Sequence, residues 1–557
     1  MENQQQNSTE PTNQTPDIKP ITPGAGLAPQ PPAPNPPSPA AGPTMPPPQP
    51  GSKKRRWVFV VILILVLVGA AVAALTTVNK TQKPAPQATT KTIDLLRIGV
   101  TQPFPTDFYP QIDTNIFAAE LNNQIFEGLT KYQGGNQIVA NLAQSWTNPN
   151  NTTWVFKLKS GVKFHDGTTM TATQVKDSLD ALAKTDYGSQ YTSTISAVKA
   201  VDDSTVQITT SAPDPLLPNE LTNLWIYDTG SGKQNDPANG TGPYTIKPGT
   251  SLTANSVDLV AFDGYQGGTP KVKELDFKYY GDVKTETTDL QNNKLDLGDL
   301  STLSAATTLK SYGFTPYADK KVQTYFLMPN TLRADSPLAK LKVRQAIYEA
   351  LDPNAIMASE STNGTVATQL VPQEIPGYNP AITHPKTDAT QAKADLAAAG
   401  YPTGFTITFT YYAPHQALAT EVQKELAAVG VTLNMDPETV GSVLGKKALG
   451  GQTDLFFFGY SSSLTDTSDV AQPLVVDTAN YKNAQIDALY QQASTTFNVQ
   501  SRLKLLQQIN QEAVSDLAIF PLFVPEADYF AVKSNIVVQT DNLYNYSGID
   551  FWKAYSQ

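Results

Sequence analysis

Apolar and polar positions change rhythm repeatedly along this chain, and the changes predict short strands alternating with helices. Leu95-Leu96-Arg97-Ile98-Gly99-Val100 reads as a strand that stops before Pro103 and Pro105. Ile116, Phe117, Leu121, Ile125 and Leu129 recur at helical spacing, which predicts a helix over 116–129. Trp154-Val155-Phe156-Lys157-Leu158 alternates like a half-buried strand. Asp166-Gly167 supplies a turn, and Thr171 is a cap for a helix carrying Val175, Leu179 and Leu182. Val198–Val201 and Thr205–Ile208 flank Asp202-Asp203 as a hairpin would. Further on, the pattern predicts helices over 341–351, 416–429, 486–493 and 503–513. It predicts strands at Phe405–Tyr411, Gly430–Asn434 and Asp454–Phe458. Helices alternating with strands point to an α/β fold with mixed sheets.

The first 78 residues follow a different rule. Sixteen of the first 50 are proline, and most of the others are small or polar. Such a segment has too little apolar surface to offset the entropy of ordering, so residues 1–52 are expected to be a disordered tail. Lys53-Lys54-Arg55-Arg56 follows, then Trp57 to Val78 with no charge. As a helix, that run would span about 33 Å, enough for a bilayer core. The expectation is an uncleaved single-pass anchor over 53–78, with the tail cytoplasmic because the basic cluster precedes it. Residues 79–91 read as a polar linker. The competing reading is a signal peptide cut near Ala70–Ala74, but a leader of this length is unusual for one.

Of 557 residues none is cysteine, which excludes disulfides, thiol catalysis and cysteine-bound metals. The net charge is −10. Residues 1–79 hold five basic and three acidic side chains, so the remainder carries −12. Without a basic stripe beyond the flank of the apolar run, a nucleic-acid partner is not expected.

The most specific signals are motifs. Lys157 to Gly167 reads KLKSGVKFHDG, and Asn239 to Tyr244 reads NGTGPY. With them come NLAQSW at 141–146, VRQAI at 343–347 followed by Leu351-Asp352, an AAAGY ending at Tyr401, and Phe520-Pro521-Leu522. In this order the six segments resemble the family 5 extracellular solute-binding proteins, the dipeptide and oligopeptide type, from about Leu95 to about Phe523. The resemblance implies a two-lobed periplasmic-binding-protein-like α/β fold that encloses its ligand between the lobes. Lobe I would hold 92–325 with a subdomain near 126–239, lobe II 326–514, and 515–557 would return to lobe I. It also implies capture of peptides outside the cytoplasm for an ABC importer, with a permease and its ATPase as partners, no catalysis, and no metal or other cofactor of the protein's own.

Within these motifs Gly161, Phe164, Asp166, Gly167, Gly240, Gly242, Pro243 and Tyr244 read as structural, and so does Arg344, expected to pair with a carboxylate and fix its helix. The resemblance places the ligand site after strand 454–458, where peptide-binding members carry GWxxDxxDP with an Asp for the peptide α-ammonium. Here Gly459 to Thr467 reads GYSSSLTDT. Tyr460 takes the Trp position, Ser463 replaces the anchoring Asp, and Asp466 matches the second acid. A hydroxyl is a weaker partner for an enclosed ammonium than a carboxylate, so either Asp466 or Asp469 takes over or the ligand lacks a free amine. Tyr109, Tyr325, Asn330, Tyr411 and Tyr412 complete the expected ligand-binding set, as residues at strand ends and crossovers.

Chemistry of other kinds is less well supported. Asp228-Thr229-Gly230-Ser231 mimics an aspartic-protease motif, but no second copy supplies the partner carboxylate. Gly230-Ser231-Gly232-Lys233 lacks the spacing of a phosphate loop. Three scattered histidines do not make a zinc site. A sensor signalling through the Pro-rich tail, or a receptor for a sugar or metal chelate, stand as alternatives.

Overall fold

A computed structural model describes residues 91–104, 116–134, 136–230, 239–250, 253–300, 303–320, 322–462, 465–539 and 549–557. The expected tail, the anchor at Trp57–Val78 and nearly all of the linker lie outside these residues. Among the described residues no helix is long and apolar enough to cross a membrane. Residues 88–557 form one compact unit.

Two large sheets organise that unit. The first has seven strands in the spatial order 314–320, 527–533, 297–300, 93–100, 272–279, 256–261 and 244–246. Strand Ile93–Val100 runs parallel to both Val272–Tyr279 and Leu297–Leu300, while Ala527–Lys533 is antiparallel to its neighbours. The second sheet has six strands in the order 364–366, 520–525, 323–329, 455–461, 405–412 and 431–438. A smaller antiparallel sheet of 143–150, 153–158, 205–210 and 195–202 forms a subdomain whose core is continuous with that of the first sheet. Both faces of the second sheet are covered by separate apolar clusters, which explains its near-continuous apolar strands.

The chain passes between the large sheets twice, side by side. Strand Phe314–Lys320 ends in the first sheet and Gln323–Pro329 begins the second. Strand Phe520–Pro525 ends in the second and Ala527–Lys533 begins in the first. Lys320 faces Ala527 on one side of the crossing, and Tyr325 faces Phe523 on the other. The expected return at 515 therefore moves to Glu526, because Phe520–Pro525 is hydrogen-bonded inside the second sheet. The first crossing likewise precedes 325.

Local expectations hold where caps and turns are explicit. Helix Ala172–Leu182 begins at Thr171, whose backbone N–H donates to the Gln174 side chain at 3.0 Å. The helix expected over 116–129 is Ile116–Ile125. It stops because Gly242 N–H takes the Ile125 carbonyl at 2.9 Å and Glu127 turns to bridge Ile226.

The two leading motifs form a single unit. The Gly240 N–H donates to His165 Nδ1 at 3.3 Å, so the ring proton sits on Nε2 and donates to the Gly242 carbonyl at 3.0 Å. The His165 N–H donates to the Gly240 carbonyl at 2.9 Å, and Phe262 packs edge-on at 4.9 Å. A Cβ on Gly240 would lie 2.1 Å from the Ile125 carbonyl oxygen, so only glycine fits there. Gly167 turns at φ +87°, while Asp166 Oδ1 accepts from the backbone N–H and the hydroxyl of Thr168. Phe164 and Tyr244 are fully buried. Arg344 is buried as well. It donates to the carbonyls of Leu338, Ala339 and Asp516, with the Asp516 carboxylate at 3.3 Å. Asp228 closes its own loop by accepting from Gly230 N–H.

Glu286, on helix Val283–Gln291, is an acid buried against the first sheet. Its carboxyl is buried against Gly99 and Gly298, Oε1 accepts from Asp299 N–H at 2.8 Å, and Oε2 has no hydrogen-bond partner. Burial, reinforced by the Asp299 carboxylate, pushes its pKa up to about 8. The folded state thus binds this proton more tightly than the unfolded chain. Its contribution to stability is full below the ordinary value of 4.5 and is lost as pH rises through about 8. Glu286→Gln keeps the acceptor and removes the titration. Urea unfolding at pH 5, 7 and 9 is expected to show wild type losing stability relative to the variant, by up to ~1.4 kcal/mol per pH unit inside that window.

Candidate functional site

The two lobes meet over the face of the second sheet that carries Phe456, Phe458 and Tyr460. Strand Leu455–Ser461 runs further than its apolar core, so Tyr460 lies within the ladder opposite Thr324 rather than in a loop. Strand alternation then fixes its direction. Its hydroxyl donates to the Asp469 carbonyl at 3.4 Å. Burial raises its phenol pKa, and Asp469 and Tyr191 add to the shift. Tyr191 belongs to helix Asp186–Thr192 of the subdomain, so it brings the opposite lobe to Tyr460.

Tyr132 reaches the same place from the hairpin of strands Thr130–Gln133 and Gln137–Ala140. Its ring packs against the second sheet's cluster, and its hydroxyl is shared among Thr465, Asn219 and Thr222. Burial raises this phenol too, and Asp469 reinforces the shift. At the hairpin tip Asn136 Nδ2 donates to the Glu374 carbonyl at 3.2 Å. Tyr490, on helix Ala484–Ser494, has its phenol pushed up to about 12 by burial, with Asp477, Asp466 and Asp469 adding and Arg502 opposing. Asp469 thus acts electrostatically on tyrosines of both lobes. Beside this cluster, next to the crossing, lies a cavity of about 490 Å³ lined by Thr365, Thr368, Glu374, Tyr378 and Glu526 among others. That size suits a small solute.

Several expected ligand residues sit elsewhere. Asp466 is buried and fully used. It caps helix Thr467–Ala471 through Ser468, and Oδ2 accepts from Arg502 Nε at 2.7 Å, with both side chains about 5% exposed. A carboxylate so neutralised offers nothing to an incoming ammonium. Asn330 stands at the far end of strand Gln323–Pro329 from the crossing, about 20 Å along it. It is buried, and its amide donates to the Gly451 carbonyl. Tyr411 is buried on the other face of the sheet, its hydroxyl donating to Gln416 Oε1 at 2.6 Å. Tyr325 also faces that side, stacked on Phe457 at 5.3 Å and packed against Phe523 at 5.0 Å. Tyr412 faces the Tyr460 side and is half-buried against its cluster. Tyr109 and Ser463 lie outside the described residues. Tyr132, Tyr191 and Tyr490 escaped notice because no local spacing marks a tyrosine that a distant element later covers.

Comparison with known proteins gives a consistent picture. The family model for the middle region of bacterial extracellular solute-binding proteins, family 5, matches residues 137–482. A relative from Shigella flexneri, named glutathione-binding protein GsiB, is 27% identical over 416 residues, covering 69% of this chain and 80% of its own. Among solved structures, HbpA2 from Haemophilus parasuis superposes with a TM-score of 0.74 at 22% identity, over 83% of this chain and all of its own. The periplasmic binding protein DppA from Helicobacter pylori, in complex with the peptide STSA, superposes at 0.67 and 20% identity, over 84% of this chain and 98% of its own. At these identities the superpositions establish the two-lobed fold.

The Arg502–Asp466 pair makes a clear prediction. Arg502→Met leaves a buried carboxylate without its cation and is expected to cost about 3–5 kcal/mol in urea unfolding. Adding Asp466→Asn to the same chain should recover part of that loss. An additive double variant would mean the two groups are energetically independent.

Proposed function

The chain belongs to family 5 of the bacterial extracellular solute-binding proteins, and we propose that it captures a short peptide or peptide-like solute between its lobes for delivery to an ABC permease. The observation that carries this reading is the lobe interface itself. Tyr132 and Tyr191 from one lobe come to Asp469 and Tyr460 of the other, and Tyr490 lies on the same charged group. Tyrosines present a broad apolar face with a polar tip, which suits side chains of varied shape. The glutathione-binding and peptide-complexed relatives point to the same class of solute.

Asp469 is the acid we assign to the ligand amine. Asp469 is half-buried, and its charge acts on Tyr132, Tyr460 and Tyr490. An ammonium held there would gain a carboxylate and the electron-rich faces of neighbouring rings. Ligand would favour the arrangement in which the lobes meet, because only there are both halves of the cluster present. Trp57 to Val78 would hold the protein at the membrane with the lobes outside, close to the permease, and the permease's ATPase would drive import. The protein itself transforms nothing.

The test begins by unfolding and refolding the chain to remove carried-over solute. Thermal shifts are then measured with glutathione, with STSA, and with N-acetylated STSA. A ligand that binds only the native state raises the melting temperature. Free-amine ligands are expected to stabilise wild type. Asp469→Asn should weaken them by roughly tenfold or more, with little change for the acetylated peptide. Equal weakening of both forms would remove Asp469 from amine recognition, and no stabilisation by any of the three would overturn the peptide reading.

A further inference from the structure

Lobe contact is not confined to the tyrosine cluster. Phe497 lies in the turn between helices Ala484–Ser494 and Val499–Ser515, which cover the second sheet. Its ring nevertheless packs against the apolar cluster of the first lobe. It meets Trp154 of the subdomain strand Thr153–Leu158 with centroids 6.0 Å apart and planes at 31°. Trp154 stacks on Phe156 at 6.4 Å, and Phe156 packs on Trp146 at 6.2 Å. One turn of lobe II thus extends an aromatic ladder that belongs to lobe I. Trp154 is only 5% exposed and its indole N–H has no hydrogen-bond partner, so polar bonding does not hold this contact.

We propose that Phe497 and Trp154 form a latch that favours lobe closure independently of ligand. Phe497 is not among the residues lining the cavity. Opening the lobes would part the two rings and wet the Trp154 face, a cost that falls on the open form alone. The latch therefore shifts the open–closed equilibrium by a constant factor whatever solute is bound. An aromatic pair with its buried area is expected to change that ratio roughly tenfold. This inference stands on the lobe geometry and does not need the solute to be a peptide.

The chain has no cysteine, so Ala197→Cys and Lys393→Cys, at exposed positions in the subdomain and lobe II, admit a spin-label pair without background. The test compares distance distributions of the refolded, solute-free full-length protein with and without Phe497→Ala. The expected result is a shift of population to longer distances, with an unchanged circular dichroism spectrum. Phe497→Leu keeps apolar volume without a ring, and serves if the alanine variant does not fold. Phe497→Trp should restore the short distance. Identical distributions in wild type and the ring-less variants would overturn the latch. With glutathione and STSA as probes, a latch weakens both by the same factor. A loss confined to one of them would make Phe497 a ligand contact and overturn the proposal as well.

Discussion

Everything in this molecule hangs on two strands that cross between the large sheets side by side. Phe314–Lys320 continues into Gln323–Pro329, and Phe520–Pro525 continues into Ala527–Lys533, with backbone pairing on both sides of the crossing. A paired ribbon resists being pulled apart, so the two strands give the lobes a fixed attachment. The carboxyl ends of the parallel strands 405–412 and 455–461 point toward this crossing. Open α/β sheets present their binding groups at such ends. Tyr412 and Tyr460 lie at those ends, and Asn330 lies at the opposite end of an antiparallel neighbour.

The chemistry at the interface follows from how buried charge is tolerated. A carboxylate out of water needs a cation or several donors. Asp466 has both, in Arg502 and the Ser468 N–H, and so belongs to the scaffold. Asp469 sits one turn on, half-buried among tyrosines contributed by separate elements. Two acids three residues apart thus sit in different settings, Asp466 against the Arg502 guanidinium and Asp469 among tyrosine rings.

Much of the framework could be read from the chain because local rules carried it. Thr171, Asp166-Gly167 and the apolar runs each correspond to an element near its expected place. The family motifs predicted the two-lobed fold, and two of them pack together, His165 tying Gly240 and Gly242 to the turn. The site was less legible. Which face a strand tyrosine takes depends on register, so Tyr411 and Tyr412 are equivalent in sequence and opposite in space. The partner of Asp466 lies 36 residues away. Tyr132 and Tyr191 acquire their setting only once the subdomain folds against lobe II. Strand Leu455–Ser461 outran its apolar core because its polar tail is paired with residues 323–325.

The strand order of the first sheet also governs when the protein can fold. Ala527–Lys533 is made after the whole of the second lobe, yet it lies inside the first sheet, between 314–320 and 297–300. Until it arrives, strand Phe314–Lys320 has no neighbour in that sheet. The whole of 323–525 must therefore emerge before lobe I can close its hydrogen-bond ladder. Pairing at such long range carries a large loop-closure cost and is slow. In a chain emerging from its N-terminus the first sheet thus stays incomplete until residues 527–533 have followed the whole of the second lobe.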